Sequence, residues 1–150
     1  GASANGTTNI IAATAIARGA LRTLSAEQAA RVKDKMAAIV AGHAPGTGAT
    51  LAFDPGGYPP MAPTDGNRAL LTRLNGVNRD LGLAEMAPLD PLKRGAGDIS
   101  FVAADVDGIA GLGPYSTGDH APGEAVDIPS IARQATRAAI LMSRLSAEKR

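Results

Sequence analysis

Hydrophobic positions along this chain alternate between extended and helical spacing. Over residues 7–22, Ile10, Ile11, Thr14, Ile16 and Leu21 predict a strand, although the interleaved alanines are poor strand formers, and Gly19 would mark a bulge. Ser25 then stands three residues before Gln28. That is a capping box, in which the Ser25 hydroxyl accepts from the Gln28 amide and the Gln28 side chain reaches back. Val32, Met36, Ile39 and Val40 fall on one face of a helix over about 26–41, with Gly42 as a left-handed stop. Residues 50–53 read as a second short strand, so 7–54 form a strand, helix, strand unit that needs a partner sheet.

Residues 54–63 hold four prolines and two glycines, a shift that marks a connector and places a domain boundary near Pro60. A second helix follows over about 65–81, with Leu70, Leu74, Val77 and Leu81 as its apolar stripe and Gly82 as its end. Past an irregular stretch, Asp98 can cap a short helix over 99–104, and 107–112 predict a strand that runs into the loop 113–127. The last helix opens at Asp127 and tolerates Pro129 in its first turn. Its expected buried face is Ile131, Ala135, Ala138, Leu141 and Leu145; Arg133, Arg137, Arg144 and Lys149 are assigned to the exposed side. The fold class expected is α/β, a mixed sheet flanked by helices.

Composition narrows the functions available. The 150 residues carry a formal charge of +1, which leaves no basic surplus for a nucleic-acid partner. No run of about eighteen strongly apolar residues is present, so no membrane partner is expected. Hydrophobic residues make up 45%, enough for a core, but aromatics only 3%, so that core must be aliphatic. The absence of cysteine removes disulfides, thiolate ligands and thiol nucleophiles together. With 18 glycines and 10 prolines, turns are abundant.

Two loops could carry chemistry. His43 follows a helix end, where a solvated cation needs no further explanation. His120 lies at the end of a predicted strand with Asp119, Glu124 and Asp127 nearby, where an imidazole can bind a metal and a carboxylate can orient its second nitrogen; an ordinary polar loop is the plainer alternative. Gly95, Ala96, Gly97 and Asp98 form a tight turn whose backbone could approach an anionic ligand, the alternative being a simple Asp-capped turn. Neither a phosphate-binding GxxxxGK[ST] loop nor a GxSxG elbow is present.

The run GAGDISFVA, followed by GLGPYSTGDHAPGEAVDIPSIARQA, resembles the end of the zinc-dependent exopeptidases typified by glutamate carboxypeptidase, with aminoacylase and acetylornithine deacetylase among the relatives. In that family a Gly-rich turn with Asp precedes a strand, and a GxGxxxxGxHxxxE loop closes over a two-zinc site. The upstream run TNIIAATAIARGALRTLSAEQAARV resembles the family's lid, or dimerisation, domain, an α+β sandwich. The resemblance implies that 1–60 are part of that lid and 61–150 the closing part of the catalytic domain. It implies His120 as a zinc ligand, Asn9 and Arg22 as lid residues that face the substrate, and Gly95, Gly97 and Asp98 as a turn lining the site. Glu124 would support the His120 loop.

The activity implied is hydrolysis of a peptide or N-acyl amino-acid amide bond by a zinc-activated water. This chain departs from the family at several points. It has no HxD motif and no Glu-Glu pair, which supply the other ligands and the general base, Ala12 replaces the usual Pro, and Ala20 replaces the usual Asp. The chain alone is therefore expected to be inactive, one portion of such a hydrolase, paired with a homodimer partner or with the missing N-terminal half. The alternative is a shortened, non-enzymatic relative that serves self-association.

Overall fold

In the computed structural model the described residues are 9, 11–93 and 97–148. They form helices α1 (Ala26–Ala41), α2 (Asp65–Asp80) and α3 (Ile128–Ala147), a 3-10 turn (Asp98–Phe101), and a two-stranded open sheet of β1 (Ser116–Thr117) and β2 (Ala125–Val126). The strands are antiparallel, with Ser116 opposite Val126 and Thr117 opposite Ala125. The α/β class stands at this level, with three helices beside a small sheet. None of the helices is long and apolar enough to cross a membrane.

Helix α1 has the limits its sequence predicts. The Ser25 hydroxyl accepts from the Gln28 amide at 3.1 Å, and Gln28 Oε1 accepts from the Leu24 amide at 2.6 Å, so the reciprocal cap closes one residue further out than in the usual box. Its stop differs from expectation: Gly42 has φ −88°, and its N–H instead closes a tighter turn onto the Ile39 carbonyl at 3.1 Å. No residue of α1 is fully buried: Val32, Met36 and Val40 of the predicted stripe are half-buried, and Ile39 is 72% exposed.

Helix α2 starts from Thr64, whose hydroxyl accepts from the Asn67 amide at 3.0 Å. The same hydroxyl donates to Asp107 at 2.6 Å, and Asn67 Oδ1 accepts the Gly108 amide at 3.0 Å, tying 107–108 to the helix start. At the other end Gly82, with φ 68°, makes a Schellman close: its N–H meets the Arg79 carbonyl at 3.0 Å and the Leu83 N–H meets the Asn78 carbonyl at 2.8 Å.

Helices α2 and α3 pack antiparallel, as shown by the cross-pairs Arg73–Glu148 at 2.6 Å and Arg144–Asp80 at 2.7 Å. Both pairs are about half exposed, so each contributes at most about 1 kcal/mol and chiefly sets register. Leu74, Val77 and Leu141 form the buried apolar cluster, with Leu71, Met86, Ile109, Leu112, Ile140 and Leu145 against it. Full burial of such a side chain is worth about 1.5–3 kcal/mol.

Several expectations are corrected. Residues 11–22, 50–53 and 107–112 are not strands, and the first of these runs is exposed over nearly all its length. A strand needs a neighbouring strand for its amides and carbonyls, and among the described residues none of these segments pairs with one. The rest of the predicted first strand, 7–10, is described only at Asn9. The mixed sheet flanked by helices is thus replaced by a two-residue hairpin ladder. On α3 the buried face is Ser130, Gln134, Arg137 and Leu141, turned by one position from the predicted stripe, so that Ile131 is 46% exposed and Arg137 is inside. On α2, Asn75 and Asn78 are buried beside Leu74 and Val77.

Many large apolar side chains of the described residues are exposed, among them Ile11 at 98%, Ile16 at 80% and Leu89 at 64%. Much surface that folding normally hides, including that of Ile39 on α1, remains available to other chain.

Candidate functional site

His120 sits in the loop between β1 and β2, which is built from glycine punctuation. Gly118 has φ 71° and Gly123 φ 94°, and between them His120 itself takes φ 62°, a left-handed conformation that costs a non-glycine residue about 1–2 kcal/mol. Successive turns close from the Ala121 amide to the Gly118 carbonyl at 3.0 Å and from the Glu124 amide to the Ala121 carbonyl at 3.1 Å. Glu124 Oε2 accepts from the His120 amide at 3.3 Å, the supporting contact that the resemblance implies. Ser116 donates to Asp119 at 2.6 Å, which holds the first side of the loop.

The hairpin is fixed to α3 at its base. The Ser130 hydroxyl accepts the Tyr115 amide at 2.8 Å, and the Asp127 amide donates to the Tyr115 carbonyl at 2.9 Å. Arg133 pairs with Asp127 at 2.9 Å and lies over the Tyr115 ring at 5.9 Å. His120 is therefore exposed at the tip of a loop with a rigid base.

The other candidates lie elsewhere. The Asp98 carboxylate does not cap the turn that Asp98 begins; it accepts from the Tyr58 hydroxyl at 2.9 Å. This bond pins the proline-rich connector to the turn, helped by the Tyr58 and Phe101 rings at 5.0 Å, and raises the Tyr58 pKa above its ordinary 10.0 because the carboxylate favours the protonated phenol. Gly97 precedes the turn with extended backbone, φ −146°. Gly95 lies outside the described residues. Arg22 is exposed, and its guanidinium donates to the Leu92 carbonyl at 3.5 Å; Asn9 is exposed in a turn. His43 is exposed at the end of α1, its Nδ1 at 3.2 Å from the Ala44 carbonyl.

Among the described residues no group of three or more His, Cys, Asp or Glu side chains is placed to hold a metal ion. The donors present do not by themselves fit a two-zinc site, since one imidazole stands where each ion needs three or more protein ligands.

Sequence reasoning missed a polar cluster in the α2–α3 interface. Asn75 pairs with Met86 as a strand would, Nδ2 donating to the Met86 carbonyl at 2.9 Å and Oδ1 accepting the Met86 amide at 2.8 Å. Asn75 Oδ1 also accepts from Asn78 at 3.1 Å, and Asn78 Oδ1 accepts from Arg137 Nη1 at 3.4 Å. The signal was the i, i+4, i+7, i+11 spacing of Ser130, Gln134, Arg137 and Leu141, disguised by its polarity.

Compared with known protein families, curated proteins and solved structures, the chain matches none.

Proposed function

We propose that this chain is a portion of a metallo-exopeptidase or amidohydrolase that cleaves a peptide or N-acyl amino-acid amide bond. The observation that carries the reading is the GxGxxxxGxHxxxE loop, which folds as a hairpin with a rigid base and presents His120 at its tip, its amide held by Glu124. An exposed imidazole set there at a cost in backbone strain suits a ligand that completes a metal site built mostly from other chain. In this reading His120 is one zinc ligand. Asn9 and Arg22 belong to a lid spanning residues 1–60, and Gly95, Gly97 and Asp98 line the site within 61–150. A guanidinium such as that of Arg22 suits a substrate carboxylate.

The remaining ligands and the general base come from a region with HxD and Glu-Glu motifs, on the same polypeptide or on a partner. Exposed apolar side chains such as Ile11, Ile16 and Leu89 favour such completion, and the exposed Ile39 on α1 supports a lid face that pairs with a second copy. That surface also favours the alternative of a self-association module without activity. Sequencing the transcript around this coding region, together with identifying what co-purifies with the chain, separates the two. The proposal expects HxD and Glu-Glu motifs in frame or in a stoichiometric partner; a self-associating chain with neither overturns it.

A further inference from the structure

Asn75 is followed by Gly76 in the interior of α2, and an asparagine followed by glycine is the one most open to attack by its own backbone. Glycine brings no Cβ to crowd the nitrogen that must approach the carboxamide. Packing does not ask for a glycine there. A Cβ on Gly76 would have the Arg79 guanidinium as its nearest neighbour, at an ordinary 3.8 Å, and glycine weakens a helix interior relative to alanine. The chemistry is intramolecular: the Gly76 nitrogen bonds to Asn75 Cγ, the bond from Cγ to Nδ2 breaks, and the former amide proton departs with that nitrogen as ammonia. Water then opens the resulting succinimide at either carbonyl, which leaves aspartate or isoaspartate.

In the folded chain both reacting groups are held off this course. Ring closure needs ψ of Asn75 turned out of the helical range, yet Asn75 lies inside α2, where the Gly76 N–H is committed to the carbonyl four residues back. The carboxamide is pinned as well. Its Nδ2 donates to the Met86 carbonyl at 2.9 Å, and its Oδ1 accepts the Met86 amide at 2.8 Å and the Asn78 side chain at 3.1 Å. Asn75 is 9% exposed, and it sits beside Leu74, which packs with Val77 and Leu141 in the apolar cluster. Reaction therefore requires the helix turn and the Met86 clasp to open together.

We propose that Asn75 and Gly76 form a spontaneous deamidation site gated by folding, closed in the native chain and open whenever the α2–α3 pair comes apart. The products do not fit back. An aspartate at this position sets an oxygen where Nδ2 stood, facing the Met86 carbonyl in a buried place. Isoaspartate adds a methylene to the backbone and breaks the helical register between Leu74 and Val77, the buried apolar residues of α2. Time spent unfolded is thus converted into permanent exit from the fold. The inference does not depend on the metallohydrolase reading.

The test is incubation of the full chain at mildly alkaline pH, in buffer and in concentrated guanidinium chloride, followed by mass spectrometry of the tryptic peptide 74–79. That peptide excludes the other Asn-Gly pair, Asn5 and Gly6, and contains Asn78, followed by arginine, as an internal control. In denaturant Asn75 should convert well ahead of Asn78, and Gly76→Ala should slow it many-fold. In buffer conversion should be at least about 100-fold slower, since unfolded fractions are on the order of 10⁻³–10⁻⁶. Leu141→Ala, far from the reacting atoms in sequence, should speed conversion in buffer and leave the rate in denaturant unchanged; if that variant does not fold, the two rates should be equal. The deamidated chain, separated by ion exchange, should unfold at lower denaturant and lose protection at the Met86 amide. Weaker protection in buffer, a Leu141→Ala chain that converts no faster there, no conversion in denaturant, or a deamidated chain that unfolds as before overturns the proposal.

Discussion

Asn75→Ala is the perturbation that most directly probes how the α2–α3 pair is held to the segment beside it. Three hydrogen bonds end on this one side chain, at 2.8, 2.9 and 3.1 Å, two of them to the Met86 backbone and one from the buried Asn78 amide. Each such bond contributes about 1 kcal/mol net, and a polar group left buried without a partner costs about 1–3 kcal/mol more. Water can reach the partly buried Met86 amide and carbonyl once Asn75 is cut back, so the added penalty falls mainly on Asn78, which is fully buried. The expected loss is about 3–4 kcal/mol, a large share of the 5–15 kcal/mol typical of a domain.

Urea unfolding followed by far-ultraviolet circular dichroism measures the loss, and hydrogen exchange at the Met86 amide localises it. Asn75→Leu, which fills the site with a larger apolar side chain, should lose at least as much, because packing without the bonds does not restore the clasp. A loss below about 0.5 kcal/mol, or Met86 protection unchanged in Asn75→Ala, would refute the assignment of this clasp as structural.

Two further outcomes follow from the geometry. In a Tyr115→Phe background the Tyr58 phenol should titrate above pH 10.0 by ultraviolet absorbance, and Asp98→Asn should bring it down; because the fold favours the protonated phenol, its contribution to stability is whole below pH 10.0 and disappears as pH rises through the raised value. Gly66→Ala should break the Thr64–Asp107 hydrogen bond, since a methyl there overlaps the Asp107 carboxylate, but that exposed side chain can swing away and alanine is the better helix former, so the net change in urea unfolding should stay within about 1 kcal/mol.

The helices were legible because their ends carry local chemistry. Ser25 with Gln28, and Gly82, encode boundaries within a few residues of sequence, and Pro129 is tolerated in the first turn of α3. Strands have no such local encoding. Residues 11–22 and 107–112 carry apolar side chains at extended spacing, but a strand is realised only against a partner, and none is met here. The polar interface was hidden for a different reason. Periodicity assigns arginine, glutamine and asparagine to solvent, and only the packing of α3 on α2 shows that Arg137 and Asn78 lie inside. Of the candidate site, the sequence places His120 in a loop, but it reads 113–127 as a single loop after a strand and misses the two-residue ladder inside it, while the link from Asp98 to Tyr58, forty residues apart, depends on how the connector returns to the turn.

The most direct measurement is zinc stoichiometry and amide-bond hydrolysis on the purified chain, with His120→Asn beside it; asparagine accepts the left-handed backbone at that position but removes the imidazole. The account predicts at most one weakly held zinc, lost in His120→Asn with the fold retained, and no hydrolysis of N-acyl amino acids until a polypeptide carrying the HxD and Glu-Glu region is added. Two tightly bound zinc ions with hydrolysis by the chain alone, or zinc binding indifferent to His120→Asn, would contradict it.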